Sequence, residues 1–382
     1  MVMSSVGFKM EARLTMLLRN PFTPSFGVVP PYMAGREYLI EDLMQALDNG
    51  VGDPNLATIF VGARGTGKTT LLVYLAEQAR AHGWISVSVA AMPGMLEDIY
   101  QRTCEAAEEF IDVSGSPKLK GVSIAQLFGV EWEPAQQAEA NWRTRMNRLL
   151  KGLEKYDIGL LITIDEVRIS LEEMQQFISN YQLFLGEKKR VALLMAGLPH
   201  QVSALLRVDS VTFFRRAAQH QLGNIPGYEV RDALAKTIRD GGRIISGEAL
   251  DKMVEASGGF PYMMQLVGFR SWAQRPDSLE IRLEDVEDGI GLARKDMETR
   301  VLDATYRELS DGDLDFLRAM LSDYGESRMA DIAVRMNVSS SYASQYRARL
   351  LEQGVIGERG RGKVGFDLPF FDEYLRTRLQ EE

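Results

Sequence analysis

The stretch "ATIFVGARGTGKTTLLVYLA", residues 57–76, breaks an apolar run with three glycines and a lysine, then resumes with apolar residues at helical spacing. Its middle, GARGTGKT at 62–69, fits G-x-x-x-x-G-K-[ST] at every fixed position, with a strand pattern before it and a helix pattern after it. Gly62, Gly65 and Gly67 let the backbone turn so that successive N–H groups face one centre. Those donors and the N-terminus of the following helix form an anion cradle. The predicted phosphate-contacting run is Gly62, Ala63, Arg64, Gly65, Thr66, Gly67, Lys68, Thr69 and Thr70. Lys68 brings a point charge to the outer phosphates, and the Thr69 hydroxyl is placed to ligate Mg²⁺.

Outward from this loop, five short apolar runs read as buried parallel strands: 56–62, 84–91, 158–164, 190–197 and 220–225. Helical patterns lie between them at 69–82, 94–111, 141–155 and 171–185, and one precedes them around Leu39, Ile40, Leu43, Met44 and Leu47. Strands alternating with helices predict a parallel sheet covered on both faces. Residues 20–35, rich in Pro, Gly and aromatics, read as an extended arm, and 113–140 as an irregular insertion. From about 227 the patterns are helical, bordered by Ser or Gly. From about 309 three short helices precede two strands around the Gly-rich basic tip "ERGRGK", the order of a winged helix-turn-helix.

The third strand ends in "LLITIDEV". Asp165 is placed to hold magnesium, directly or through water, and Glu166 to polarise the attacking water as the base. The fourth strand is expected between the first and third, with its end facing the γ-phosphate. That end reads "MAGLPH" and offers no strong polar sensor; His200 is the substitute, or a solvated histidine. Before the fifth strand stand Arg215 and Arg216, adjacent and therefore pointing apart. One is read as reaching a γ-phosphate, in cis or in trans, and the other as pairing locally. In "ASGGFPYMMQ", Gly258, Gly259 and Pro261 mark a helix start; Pro261 is read as a lid element over the nucleotide base.

The chain of 382 residues carries a formal net charge of −9, so any DNA contact must come from a local patch. Over 341–363, Arg347, Arg349, Arg359, Arg361 and Lys363 outnumber Glu352 and Glu358 by three. With Ser341, Tyr342 and Gln345 they form the expected DNA-binding set, for phosphates and base edges. A protein-binding role for the same unit stays open. The single cysteine, Cys104, excludes an internal disulfide, and three scattered histidines argue against a zinc site. No run of eighteen apolar residues reads as a membrane span and no signal peptide is read at the N-terminus, which predicts a cytoplasmic protein.

With these motifs in order, the chain resembles the AAA+/STAND superfamily of P-loop ATPases, closest to the branch of Orc1/Cdc6-like and archaeal-type ATPases. The residues carrying the resemblance are "AGRE" at 34–37, "GARGTGKTT", "LLITIDE", "FFRR", "SGGFPYMMQ" and "DLPFFDEYLR". The resemblance implies an α/β fold: a five-stranded parallel P-loop NTPase sheet, a helical lid and a C-terminal winged helix-turn-helix. The domains are expected at 1–34 (arm), 35–226 (ATPase core), 227–306 (lid) and 307–382 (winged helix). It also implies ATP or ADP with Mg²⁺ as ligands and an adenine enclosed near Gly35 and Arg36. An arginine of "FFRR" would serve as finger or internal sensor. Duplex DNA, a protein partner or a second copy of the chain would be the partners. The missing polar sensor and the Gly-Phe-Pro lid, in place of an arginine-bearing one, favour a slow switch over a motor.

Overall fold

The computed structural model describes residues 19–25, 27–114, 141–167 and 172–381. The expected insertion, beyond residue 114, and the first eighteen residues of the chain lie outside the described residues. The chain divides into two compact units: a sheet unit of Glu37–Gly62 and Lys68–Leu222, and a helical unit of the residues up to Arg36, Ala63–Gly67 and Gly223–Glu382.

The sheet unit holds β1 (Ala57–Val61), β2 (Trp84–Ala90), β3 (Gly159–Asp165), β4 (Val191–Gly197) and β5 (Ala218–Gln221), all parallel, in the order β2-β3-β4-β1-β5. Burial follows that order. β4 is buried at every residue and β3 at all but its last, as central strands covered on both faces must be. The edge strand β5 alternates half-buried and exposed residues. β4 lies between β1 and β3, the expected position. The fifth strand is displaced from its expected span of 220–225: pairing with β1 begins at Ala218, and the last bond is from Leu222 N–H to the Val61 carbonyl. The helices of this unit are α1 (Glu37–Asn49), α2 (Lys68–Ala79), α3 (Met95–Ser114), α4 (Trp142–Glu154), α5 (Glu172–Gly186) and α6 (Pro199–Leu206). The apolar faces of α3 to α6 and the strands share one core that includes Ile59, Ile85, Leu160, Phe177 and Leu193.

The helical unit begins with the arm. Phe22 is buried, Asn20 Nδ2 donates to the Phe269 carbonyl and Thr23 N–H donates to Gln265 Oε1. The helices α7 (Gly227–Asp240), α8 (Gly247–Ser257), α9 (Pro261–Ala273) and α10 (Leu283–Met297) follow, with a two-residue parallel pair, β6 (Ile244–Ile245) and β7 (Glu280–Ile281). Gly268 of α9 is where the arm docks: a Cβ there would stand 2.3 Å from the Phe22 ring. Within the run read as helical from about 227 to 309, a π-helical turn, Glu298–Leu302, precedes α11 (Asp303–Glu308). At that junction Asp303 accepts from Arg378 Nη2 at 2.8 Å and from the Tyr374 hydroxyl.

The C-terminal part comprises α12 (Asp311–Met320), α13 (Met329–Arg335) and α14 (Ser340–Glu352), then a hairpin of β9 (Ile356–Glu358) and β10 (Lys363–Phe366). Two elements carried no readable pattern: the two-residue strand β8 (Ser327–Arg328), paired with β10, and the final helix α15 (Phe371–Glu381). Among the described residues no helix is long and apolar enough to cross a membrane.

Candidate functional site

In the sheet unit, β1 runs into Gly62 and α2 begins at Lys68. The Lys68 ammonium donates to the Gly62 carbonyl at 2.8 Å, so the charge is drawn over its own loop. The next residue makes the decisive contact: Thr69 Oγ1 donates to Asp165 Oδ2 at 2.5 Å. A hydroxyl at the start of α2 and a carboxylate at the end of β3 thus meet across a separation of 96 residues. This donor pair fits a hard divalent cation, which takes oxygen ligands and keeps positions for phosphates and water. No cluster of three or more His, Cys, Asp or Glu side chains suited to a metal occurs among the described residues, so the cation would depend on that pair.

Glu166 follows Asp165 at φ 52°, in the left-handed region, and is exposed. Its own N–H donates to Asp165 Oδ1 at 2.8 Å, and the Val167 N–H donates to the Ala196 carbonyl at 3.0 Å. The strand therefore ends in a sharp turn at Glu166. Such conformations cost a non-glycine residue roughly 1–2 kcal/mol.

The end of β4 is as apolar as expected. Met195, Ala196 and Gly197 are all buried, and a Cβ on Gly197 would meet Val202 at 3.0 Å. His200 sits in the first turn of α6, on a helix and not in a loop. Arg215 and Arg216 close a 3₁₀ segment, Asp209–Arg216. Both arginines are exposed, and Arg215 Nε donates to the Leu206 carbonyl at 2.7 Å. Of the pair, Arg215 is the locally engaged one.

The helical unit contains the loop tip, 63–67. Gly65 and Gly67 have φ of 76° and 85°, and Thr66 Oγ1 bonds back to the Ala63 carbonyl at 2.9 Å. The Phe260 ring lies against this tip: a Cβ on Gly65 would fall 2.3 Å from its Cζ. Pro261 is the neighbour of Gly67, 3.9 Å from the position of a Cβ there. Gly35, at φ 69°, packs on Ile225 and Glu229. Arg36 donates to the Gly223 carbonyl at 3.0 Å, and burial pulls its guanidinium below the ordinary arginine value against the opposing charge of Glu229. Phe260 is the residue that sequence reasoning passed over. Its only signal was an aromatic set between two glycines and a proline.

The expected DNA-binding set is placed on α14 and the hairpin. Ser341, Tyr342 and Gln345 are exposed. The cations are mostly engaged. Arg347 pairs with Glu358 at 2.5 Å, Arg349 with the fully buried Asp313, Arg359 with Asp367 at 2.6 Å, and Lys363 with Glu326. Arg361 alone of the five has no ion pair among the described residues and is exposed. The local surplus over 341–363 is therefore offset by Asp313, Glu326 and Asp367, which lie outside that window in sequence.

The Walker-type ATPase of Pyrococcus abyssi superposes with a TM-score of 0.67 at 14% identity, covering 94% of this chain and all of that one. This chain shares the fold of that Walker-type ATPase. The ORC2 protein of Aeropyrum pernix, in its ADP form, is similar at a TM-score of 0.55 and 13% identity, over 94% of this chain and 97% of that one. The family described as "Domain of unknown function (DUF8462)" matches residues 299–375, which span the π-helical junction and the C-terminal part of the chain. No curated protein sequence matches it.

Proposed function

We propose that the protein binds ATP and hydrolyses it slowly, as a switch of the AAA+/STAND type whose output is a C-terminal winged helix. The observation that carries this reading is the Thr69–Asp165 bond at 2.5 Å, which sets the two expected cation ligands side by side. Thr69 and Asp165 would hold magnesium, whose chemistry there is neutralisation of phosphate charge. Gly62, Ala63, Arg64, Gly65, Thr66, Gly67 and Thr70 present the loop to the phosphates, and Lys68 neutralises their developing charge. Glu166 takes a proton from the attacking water. Arg216, exposed, suits a finger better than Arg215, whose guanidinium is committed to a carbonyl. The apolar end of β4 supplies no side chain to orient the water, which supports a low rate. Gly35, Arg36 and Pro261 would border the base. A division into arm, ATPase core, lid and winged helix at 34/35, 226/227 and 306/307 belongs to the same proposal; the two compact units divide instead at Arg36/Glu37 and Leu222/Gly223.

The winged helix has two readings. Ser341, Tyr342, Gln345 and Arg361 would reach duplex DNA, with Arg347, Arg349, Arg359 and Lys363 on its backbone. The ion pairs of those last four favour the other reading, a protein partner or a second copy of the chain, because a cation already paired gains less from a phosphate.

Titration with a fluorescent ATP analogue and a phosphate-release assay test the nucleotide reading. Lys68→Ala is expected to abolish binding. Glu166→Gln is expected to keep binding and lower turnover about 100-fold or more. Equal turnover in Glu166→Gln and the parent chain would remove Glu166 from the chemistry.

A further inference from the structure

The turn between α8 and α9 touches two distant parts of the helical unit at once. Gly258 and Gly259 both take positive φ, 56° and 73°, and Phe260 and Pro261 start α9. On one side the Phe260 ring packs against Gly65 at the tip of the phosphate loop. Phe260 is itself only 2% exposed, so the ring is clamped on its other faces by the lid core. On the other side, a Cβ on Gly258 would stand 3.7 Å from Cζ of Phe370, in the turn ahead of α15. The turn cannot give way in between. The Ile225 N–H donates to the Gly259 carbonyl at 2.7 Å, Asn224 Nδ2 donates to the Gly258 carbonyl at 3.1 Å, and a Cβ on Gly259 would lie 2.5 Å from the Ile225 carbonyl oxygen.

Phe370 adds an independent observation. It holds φ 63°, a conformation that bulky side chains avoid and that persists only where the surroundings impose it. Phe371 and Tyr374, in the helix it starts, are stacked with centroids 5.8 Å apart, and Tyr374 binds Asp303 at the π-helical junction. A strained residue is thus joined through a hydrogen-bonded turn to a loop of positive-φ glycines at the far end.

We propose that the Gly258–Phe260 turn is a mechanical link: Phe260 is the positioning residue that reports the conformation of the loop tip, and Phe370 receives it for the C-terminal part. The inference rests on the loop being a nucleotide site, as read above. An anion drawn into the loop reorients the 63–67 amides, and the Phe260 ring must follow the backbone it touches. Rotation of that ring turns Gly258 against Phe370.

Amide hydrogen exchange on the full-length chain tests the link without requiring nucleotide. In Phe260→Ala, exchange should rise about tenfold at 63–67 and also at 366–374. Phe260→Leu should restore most of the protection at both. Phe370→Gly relieves the backbone strain, so its melting temperature should hold, while exchange at 63–67 still rises several-fold. Unchanged exchange at 63–67 in Phe370→Gly overturns the link, and that variant decides if Phe260→Ala does not fold. With saturating ADP, the parent chain should gain protection at both segments. Protection at 63–67 alone refutes the link. No protection at 63–67 refutes the nucleotide reading, and the comparison of variants without nucleotide still judges the link.

Discussion

Glu166 holds a left-handed backbone at the end of a buried strand, where a glycine would sit without strain. A position that keeps a carboxylate at such a cost is consistent with selection for chemistry over stability. Glu166→Gly should therefore raise the melting temperature, by the equivalent of about 1 kcal/mol, while phosphate release falls to background. Calorimetry alongside the release assay checks both. A fall in both would mean that the side chain supports the turn. Spacing in the sequence marks Glu166 as the residue after the Walker B Asp, but only the backbone shows that it holds a left-handed conformation.

Among the elements, the C-terminal helices are held by carboxylates at their ends. Ser310 and Asp313 form a reciprocal cap at the start of α12, and the same Asp313 binds Arg349 of α14. One buried carboxylate thus caps one helix and ties a second to it. Ser310→Ala should cost about 1 kcal/mol in urea unfolding. Asp313→Ala should cost more, because Arg349 loses its partner too. At the far end of α12, Asp323 binds Arg335 of α13 through both oxygens, at 2.6 and 2.8 Å. The hydrogen bonds from Arg335, then from Ser327, hold its carboxyl down at about 2. A depressed carboxylate stabilises the fold above its unfolded value and stops doing so as the pH falls through the folded one. Melting temperatures of Asp323→Asn and the parent chain should therefore differ at pH 6 and converge as the pH approaches 2. A constant gap would show that the loss comes from packing. The helices α12 to α14 were legible from their periodicity and from Ser and Gly borders. The strand β8 was not, because two residues carry no period. The π-helical turn was not, because its residues fit a helical pattern equally well.

Over the whole molecule, the charge distribution decides what the C-terminal part can bind. With a net charge of −9 and four internally paired cations, Arg361 is the member of the predicted set without an ion pair among the described residues. Fluorescence anisotropy on duplex DNA should show a shallow salt dependence, with a slope of log K against log salt no steeper than about −2. Arg361→Ala should reduce that slope by about 1. A steep slope that survives Arg361→Ala would mean that the ion pairs open on binding. It would return Arg347, Arg359 and Lys363 to the interface.

Local residue types already marked the glycine loop, the parallel sheet with four of its strands in place, and the order of the motifs. Each depends on chemistry within a few residues: glycines that turn the backbone, apolar runs that must be buried, a lysine and a hydroxyl at a helix start. The tertiary structure decided what depends on residues far apart in the chain. It joined Thr69 to Asp165, set Phe260 against Gly65, and neutralised Arg349, Arg359 and Lys363 with Asp313, Asp367 and Glu326. A charge count along a window cannot see a counter-ion from another element, and a helix-start pattern cannot show which loop its aromatic touches. Those contacts exist only once the chain has closed on itself.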